Sequence, residues 1–587
     1  MKFPRYSSFT KKINTVKLTE FKGVDFSSSE YEMDLSHSPD CQNMYLDKNN
    51  NLVKRPGYEV LYTFDKNPNG IFVYPRALGN ELILHVGTCL YKFSNNSPVL
   101  LYSEMTDQNT KGFVFEDKLY ILGGNRYVQY DGQQVQRVRD IAYTPTTFIG
   151  RNPSGGGTRL EYPNLVSDNR INSFIADGES VNYKTDAQAI SSINKITVNG
   201  NTVSSSEYMI GNNGTVIFYD PPQKASDGID NVVIDFNCGT GSVYLDIERC
   251  DTFGIFGGKN DSRVFFSGLS NFENVDFQSG LYDATYFPSS GYTKLGSNTT
   301  KIMGYVKGDN CQIIVKSDND TSATHYRRTF DMDENGNVFF PIAEGIEGVG
   351  AINKSFVNFG GRPLYLSKEG VMCIQGTDVS SRYIVKNVSV NINGRLLNED
   401  SLENAEMFVC DDKLFLCVNG NVYLADGRYF TSKGYEWFYF TGLNIKKIGI
   451  MNDDIYFLTN DKKLCKMYKD NNYSDGGQAI DAYWKTPVMQ FQPVDCLKNI
   501  FDVQVGFLSF KNPYYADIYY IDETEKSKVL EDISILASEN KMPYNVNTKV
   551  KLFDNICFQL MIGNNQLGHY LGIEKIIINY SAGKKII

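Results

Sequence analysis

AEMFVCDDKLFLCVNGNVYLADG (405–427) and KKIGIMNDDIYFLTNDKKLCKMY (446–468) follow one plan. A short aromatic or β-branched strand meets a tight turn of Asp, Asn or Gly, a second strand follows, then another turn and a third strand. Two apolar runs separated by such a turn read as a hairpin. The plan recurs outward in GIFVYP…ELILHVGTCLYKF (70–93), KGFVFEDKLYILGGNRYVQYDG (111–132), TFGIFGGKNDSRVFFSG (252–268), KIMGYVKGDNCQIIVKSDN (301–319) and INKSFVNFGGRPLYLSKEGVMCIQG (352–376). The later units begin about 40 to 50 residues apart, the spacing of propeller blades of about four strands each. The reading is an all-β chain built on a β-propeller of about seven blades, with stacked meanders as the competing arrangement.

Composition supports strands. The chain has 587 residues, enough for several domains, with 41% hydrophobic and 21% charged residues. Aromatic residues make up 13%, carried by 39 Tyr and 37 Phe, and 50 Gly supply turns. A net charge of −10 argues against a broad phosphate-gripping basic surface. No apolar run is long enough for a membrane-spanning helix, and Met1–Ser8 lacks the apolar core of a secretory signal. The eleven cysteines are scattered without a CxxC pair and read as buried, reduced thiols made in a cytosol.

The expected domains are an extended N-terminal arm (1–65), a first part of the propeller (66–164), an inserted β-sandwich (165–238), a second part of the propeller (239–475) and a C-terminal β-sandwich (476–587). In the insertion, turns at Asn199-Gly200 and Asn213-Gly214 and the Pro221-Pro222 stop punctuate short strands. Residues 152–157 (NPSGGG) read as a flexible approach loop, and short helices are expected only in 381–405 and 526–541.

Chemistry is sparse. His37, His85, His325 and His569 lie in four segments without a partner at metal-ligand spacing, and there is no GxSxG. Gly150–Gly155 opens like a phosphate loop, but Gly156 and Gly157 stand where Lys and Ser/Thr are required. Asp331–Gly336 copies the first half of an EF-hand loop, with Ile342 where a bidentate Glu is needed, so a hairpin turn at Asn335-Gly336 is expected and a weak calcium site is the minor alternative. The pairs Asp411-Asp412 and Asp453-Asp454 sit at hairpin tips, where acidic residues favour turns. The reading assigns no catalytic, cofactor-binding or metal-binding residue.

The specific signal lies in 18–58: Leu18-Thr19-Glu20-Phe21-Lys22-Gly23-Val24-Asp25, then Cys41-Gln42-Asn43-Met44, then Leu52-Val53-Lys54-Arg55-Pro56-Gly57-Tyr58. This pattern resembles the N-terminal signature of the tail nozzle, or packaged-DNA stabilisation, proteins of short-tailed bacteriophages. Ser262-Arg263-Val264-Phe265-Phe266-Ser267-Gly268, Leu364–Val371 and Tyr483-Trp484-Lys485-Thr486 resemble later motifs of the same family in order. Asn51 departs from the turn Gly of the pattern. The resemblance points to Phe21, Gly23, Asp25, Asn43, Arg55, Pro56, Gly57, Arg263 and Trp484 as assembly candidates.

What the resemblance implies is a structural virion protein, not an enzyme and without cofactor. It would be made in the host bacterial cytoplasm and located in the virion tail. Its copies, six in the expected homohexameric ring, would sit below the portal and adaptor proteins and meet tail-fibre or tail-tip proteins. The ring would retain packaged DNA and let it pass without sequence-specific binding. The rival readings are a minor virion protein that binds a host receptor and a carbohydrate-active propeller enzyme. The arm either closes the propeller within its own chain or reaches a neighbouring subunit, and Arg55 either pairs a carboxylate or meets that neighbour.

Overall fold

In the computed structural model the repeated strand–turn–strand units become seven blades about one axis, five of them separate four-stranded antiparallel sheets and the last two parts of one nine-stranded sheet. The structure describes residues 12–585 except 227, 240–246, 259, 309, 319–322, 335, 346–347, 378–379, 470–471, 522–526 and 537–543. Met1–Ser8 and Asn335 lie outside the described residues.

Blade 1 comprises Pro68–Tyr74, Glu81–Val86, Cys89–Ser94 and Ser97–Tyr102, and blade 2 Lys111–Phe115, Lys118–Gly123, Arg126–Tyr130 and Val135–Arg137. Blade 3 is Thr252–Phe256, Arg263–Ser267, Val275–Gln278 and Tyr292–Lys294, and blade 4 Ile302–Gly308, Cys311–Lys316, His325–Arg328 and Ile342–Glu344. Blade 5 is Phe356–Phe359, Arg362–Ser367, Gly370–Thr377 and Ser380–Asn387. Blades 6 and 7 are joined: Glu406–Cys410, Lys413–Val418 and Gly420–Thr431 pair with the first half of Gly434–Met451, whose second half pairs with Asp454–Thr459. Lys463–Met467 follows in blade 7, and its outer strand is Tyr58–Thr63 from the arm.

That last pairing closes the ring: the arm completes the blade laid down some 400 residues later in the chain. Tight turns at Asp411, Asn452 and Asp453, all with positive φ, connect the blade strands, since Asn and Asp tolerate left-handed backbone.

Side chains from adjacent innermost strands interlock the blades. A Cβ on Gly254 would lie 2.5 Å from the Tyr305 ring, one on Gly304 2.2 Å from Phe356, and one on Gly449 2.9 Å from Ile71. Between blades 2 and 3, Phe113 meets Phe253 at 4.6 Å between centroids. Between blades 3 and 4 a fully buried ion pair, Arg328–Asp276 at 2.5 Å, takes a further hydrogen bond from Tyr305, and the Arg328 guanidinium lies over Phe265. Burial pushes the Asp276 carboxyl up against the opposing pull of Arg328.

The insertion contains a six-stranded sheet running from Thr146–Arg151 to Val232–Asn237 and a three-stranded sheet of Asn182–Lys184, Thr215–Phe218 and Tyr208–Ile210. Phe174, Tyr183, Val216 and Phe236 fill the space between them. Thr146–Arg151 and Thr158–Arg159 are strands of this sheet, and the stretch 152–157 expected as an approach loop connects them, with a bridge at Asn152–Gly155.

The C-terminal sandwich pairs Cys496–Phe507, Tyr544–Asn555 and Gly572–Lys585 in one sheet and Ala482–Lys485, Gln559–Asn564, Tyr514–Ile521 and Ser527–Ile535 in the other. Ser527–Ile535 corrects the helix expected in 526–541: pairing with Tyr514–Ile521 satisfies its backbone as a strand. In 381–405 the strand Ser380–Asn387 precedes a single helical turn, Asn393–Leu396. The arm joins both sandwich sheets, Asn14–Leu18 and Leu52–Lys54 pairing with Gly572–Lys585, and Cys41–Gln42 with Ala482–Lys485. It is thus integrated into its own chain at both domains.

Candidate functional site

Eight of the nine signature residues meet where the arm passes between the propeller and the C-terminal sandwich. Asn43 adopts a left-handed backbone (φ 56°), which turns its carboxamide inward. Its Nδ2 donates to the Asp481 carbonyl (2.8 Å) and to Thr441 Oγ1 (3.1 Å). Its Oδ1 accepts from the Thr441 amide (2.9 Å) and from Arg55 Nε (2.8 Å). Arg55, 0% exposed, spends its remaining donors on the Asp475 carboxylate (2.9 and 2.5 Å), the Thr441 carbonyl (2.8 Å) and the Pro56 carbonyl (3.1 Å). All five guanidinium N–H groups are therefore satisfied, a fork geometry that a lysine does not reproduce. Arg55 pairs a carboxylate of its own chain.

The other signature residues frame this pair. A Cβ on Gly57 would stand 2.0 Å from the Ser474 carbonyl oxygen, one residue from Asp475. Gly23 has φ +99°, and a Cβ there would stand 2.1 Å from the Trp437 carbonyl oxygen. Asp25 accepts the amides of Ser27 and Ser28 at 3.0 and 2.9 Å, fixing the turn that follows. Phe21 meets Trp484 edge-on at 5.2 Å, and both tryptophans are fully buried. Beside Arg55, the buried Lys54 donates to Asn564 Oδ1 (3.1 Å). Burial, with the Arg55 charge adding to it, lowers its ammonium to about 7. Arg263 stands apart on blade 3, donating to the Ser279 carbonyl at 3.1 Å.

The histidines remain scattered: His37 lies 2.9 Å from Glu436, His85 is buried against Thr110 with its pKa lowered to about 4 by burial, His325 meets Tyr365 at 3.0 Å, and His569 stacks on Tyr515. Asp333 accepts the Asn337 amide at 2.7 Å, spanning a hairpin turn between Asp331–Met332 and Val338–Phe339. Among the described residues, no three His, Cys, Asp or Glu side chains gather as a metal site, and no helix is long and apolar enough to cross a membrane.

A second feature was not anticipated. The propeller axis holds a cavity of about 1290 Å³, lined by residues of all seven innermost strands. Set on the interlocking position held by Gly70, Gly112, Gly254, Gly304, Ser355, Met407 and Gly449, these strands present Lys111, Phe253, Met303, Lys354, Glu406 and Ile448 one residue earlier, all lining the cavity. Three residues earlier, Asn109, Asp251, Ile352, Asn404 and Lys446 also line it, as the two-residue strand period requires.

Lys111, on blade 2, donates across the axis to the Lys354 carbonyl before blade 5 (2.6 Å), so its side chain reaches across the cavity. Lys354 pairs with Asp251, and Lys447 with Glu406. A Gly at this position in five of the seven units is the sequence signal that would have located the ring of cavity-lining residues.

No family model matches the chain, and no curated protein matches it. Among solved structures it is similar to an exo-β-1,3-galactanase from Phanerochaete chrysosporium, with 9% identity, a TM-score of 0.21, and coverage of 56% of this chain and 95% of that one. It is also similar to a putative gluconolactonase, with 7% identity, a TM-score of 0.28, and coverage of 70% and 91%. A putative exported protein from Bacteroides fragilis NCTC 9343 gives 8% identity, a TM-score of 0.24, and coverage of 56% and 100%. Likenesses this weak carry no functional argument for this chain.

Proposed function

We propose that this chain is a structural subunit of a bacteriophage tail nozzle: a ring, six copies in the expected assembly, below the portal and adaptor, that retains packaged DNA and releases it on ejection. The observation that carries the reading is the convergence of the signature residues. Phe21 and Gly23 pack on Trp484 and the Trp437 backbone, and Asn43, Arg55 and Gly57 gather about Asp475 and Ser474, so these residues, which bear the resemblance in sequence, hold the arm against its own chain. A shared signature that encodes one load-transmitting joint between two domains is what a scaffold requires, whereas a substrate site would require accessible groups.

In this reading there is no turnover, and subunits join through buried aromatic surface. The net charge of −10 suits a wall along which DNA slides without sticking. In this reading the DNA path runs through the lumen of the ring, between subunits and not through any one propeller.

The test is to tag the chain during infection, purify DNA-filled particles and image the tag. Density in a ring at the single tail vertex is expected, and deletion of the gene should give particles that package DNA and then lose it. Tag on peripheral fibres, or deletion mutants that keep their genome and infect normally, would overturn the proposal.

A further inference from the structure

The propeller cavity has a chemistry that its fold does not require. Lys111 is half-buried and has one hydrogen-bond acceptor, the Lys354 carbonyl, for three N–H donors. Lys354 and Lys447 are each matched by a carboxylate, Asp251 and Glu406. Lys446, half-buried at the mouth, lines the same space, as do the carboxamides of Asn109 and Asn404. Four ammonium groups thus face the cavity against three carboxylates, the third being Glu403, while Asp107 beyond the mouth is exposed and screened by water. The surplus is one positive charge; Lys111 and Lys446 are the two of these lysines without an ion-paired carboxylate, and Phe253, Met303 and Ile448 line the same space.

We propose that the propeller cavity is a binding site for a small oxyanion, phosphate- or carboxylate-bearing, held between the ammonium groups of Lys111 and Lys446 and oriented by the Asn109 and Asn404 carboxamides. Each missing element of the cavity is one that such a ligand supplies. Its oxygens accept the unspent N–H donors of Lys111, its charge offsets the surplus, and it fits a space lined by a few convergent polar groups on an apolar wall. The ligand would sit beside the Lys111 side chain where that side chain crosses the cavity. This site is independent of the nozzle reading: a tail protein or any other would carry it.

The same geometry gives the binding a pH signature. Burial and the neighbouring Lys354 charge lower the Lys111 ammonium to about 8, with Glu406 and Asp251 pulling the other way and Lys447 adding to the reduction. Lys446 is also lowered, by burial first and then by Lys447, with Asp107 and Glu406 opposing. An anion that binds the protonated form therefore binds less well as pH rises through 8.

The experiment is isothermal titration of the full chain with inorganic phosphate and, separately, with succinate, at pH 7 and pH 9.5. Saturable binding of one anion per chain is expected for at least one of the two, weakened at least tenfold at pH 9.5. The anion that binds tells the phosphate source from the carboxylate source. Lys111→Met and Lys446→Gln should each weaken it at least tenfold, whereas Lys433→Gln, on an exposed hairpin, should leave it unchanged. Because Met removes a buried charge without removing volume, Lys111→Met should fold, and its circular dichroism checks this. Absence of saturable binding of either anion to the native chain, or equal affinity in both cavity variants, would overturn the proposal.

Discussion

Removing the Arg55 guanidinium should unlock the joint between the arm, blade 7 and the C-terminal sandwich. In Arg55→Ala the Asp475 carboxylate stays 9% exposed with no counter-charge, and Asn43 Oδ1 and the Thr441 carbonyl each lose a donor. Breaking a buried ion pair by deleting one partner costs about 3–5 kcal/mol, because the orphaned charge keeps its desolvation penalty. That corresponds to a loss of roughly a hundredfold or more in the folded-to-unfolded ratio. Arg55→Lys should recover only part, since three donors replace five and the planar fork is lost.

The assay is built into the site. The chain has two tryptophans, both fully buried: Trp484 packs on Phe21, and the Trp437 backbone lies against Gly23. Urea unfolding followed by tryptophan emission therefore reports on this junction before the distant blades. Arg55→Ala and Asp475→Asn should each shift the tryptophan transition to lower urea. The double variant Arg55→Met/Asp475→Leu should be more stable than the sum of the losses in Arg55→Met and Asp475→Leu alone predicts, because it leaves neither charge behind. Single-variant losses below about 1 kcal/mol, or strict additivity, would refute the reasoning, since that is the range of solvent-screened pairs.

Two further outcomes follow from the geometry. Lys54 releases its proton near 7 in the folded chain but holds it to its ordinary 10.5 when unfolded, so the unfolded state binds more protons in between and stability rises with pH over that window. Urea unfolding at pH 7 and pH 9 should show a larger gain for the native chain than for Lys54→Met, and equal gains would remove Lys54 from the account. At the blade 4–5 seam, Gly304→Ala would drive a Cβ into the Phe356 ring, 2.2 Å away, and should cost about 1–3 kcal/mol by overpacking. Phe356→Ala in the same chain should recover part of that loss, measured by the same denaturation, and purely additive losses would show that the two do not share the space.

The helix expected in 526–541 shows how local patterns mislead. SKVLEDISI carries charged and apolar residues compatible with either period, and a neighbouring strand with free backbone groups decided for the sheet. The arm shows the opposite case. Its signature was legible because glycines, a proline and a left-handed Asn at fixed spacing are backbone requirements written residue by residue, whereas their partners Asp475, Thr441 and Trp437 were not. Arg263, taken from a similar-looking strand, proved to belong to the wall of blade 3.

By itself the sequence determined the all-β class and the hairpin units, because strand period and turn chemistry are properties of a few adjacent residues. Only the tertiary structure decided that Tyr58–Thr63 completes the last blade, that Arg55 finds Asp475, and that Lys111 crosses the axis to the Lys354 carbonyl. Those choices join residues hundreds of positions apart. They exist once the ring has closed, since ring closure brings the seven inner strands about one axis and lays the arm between two domains.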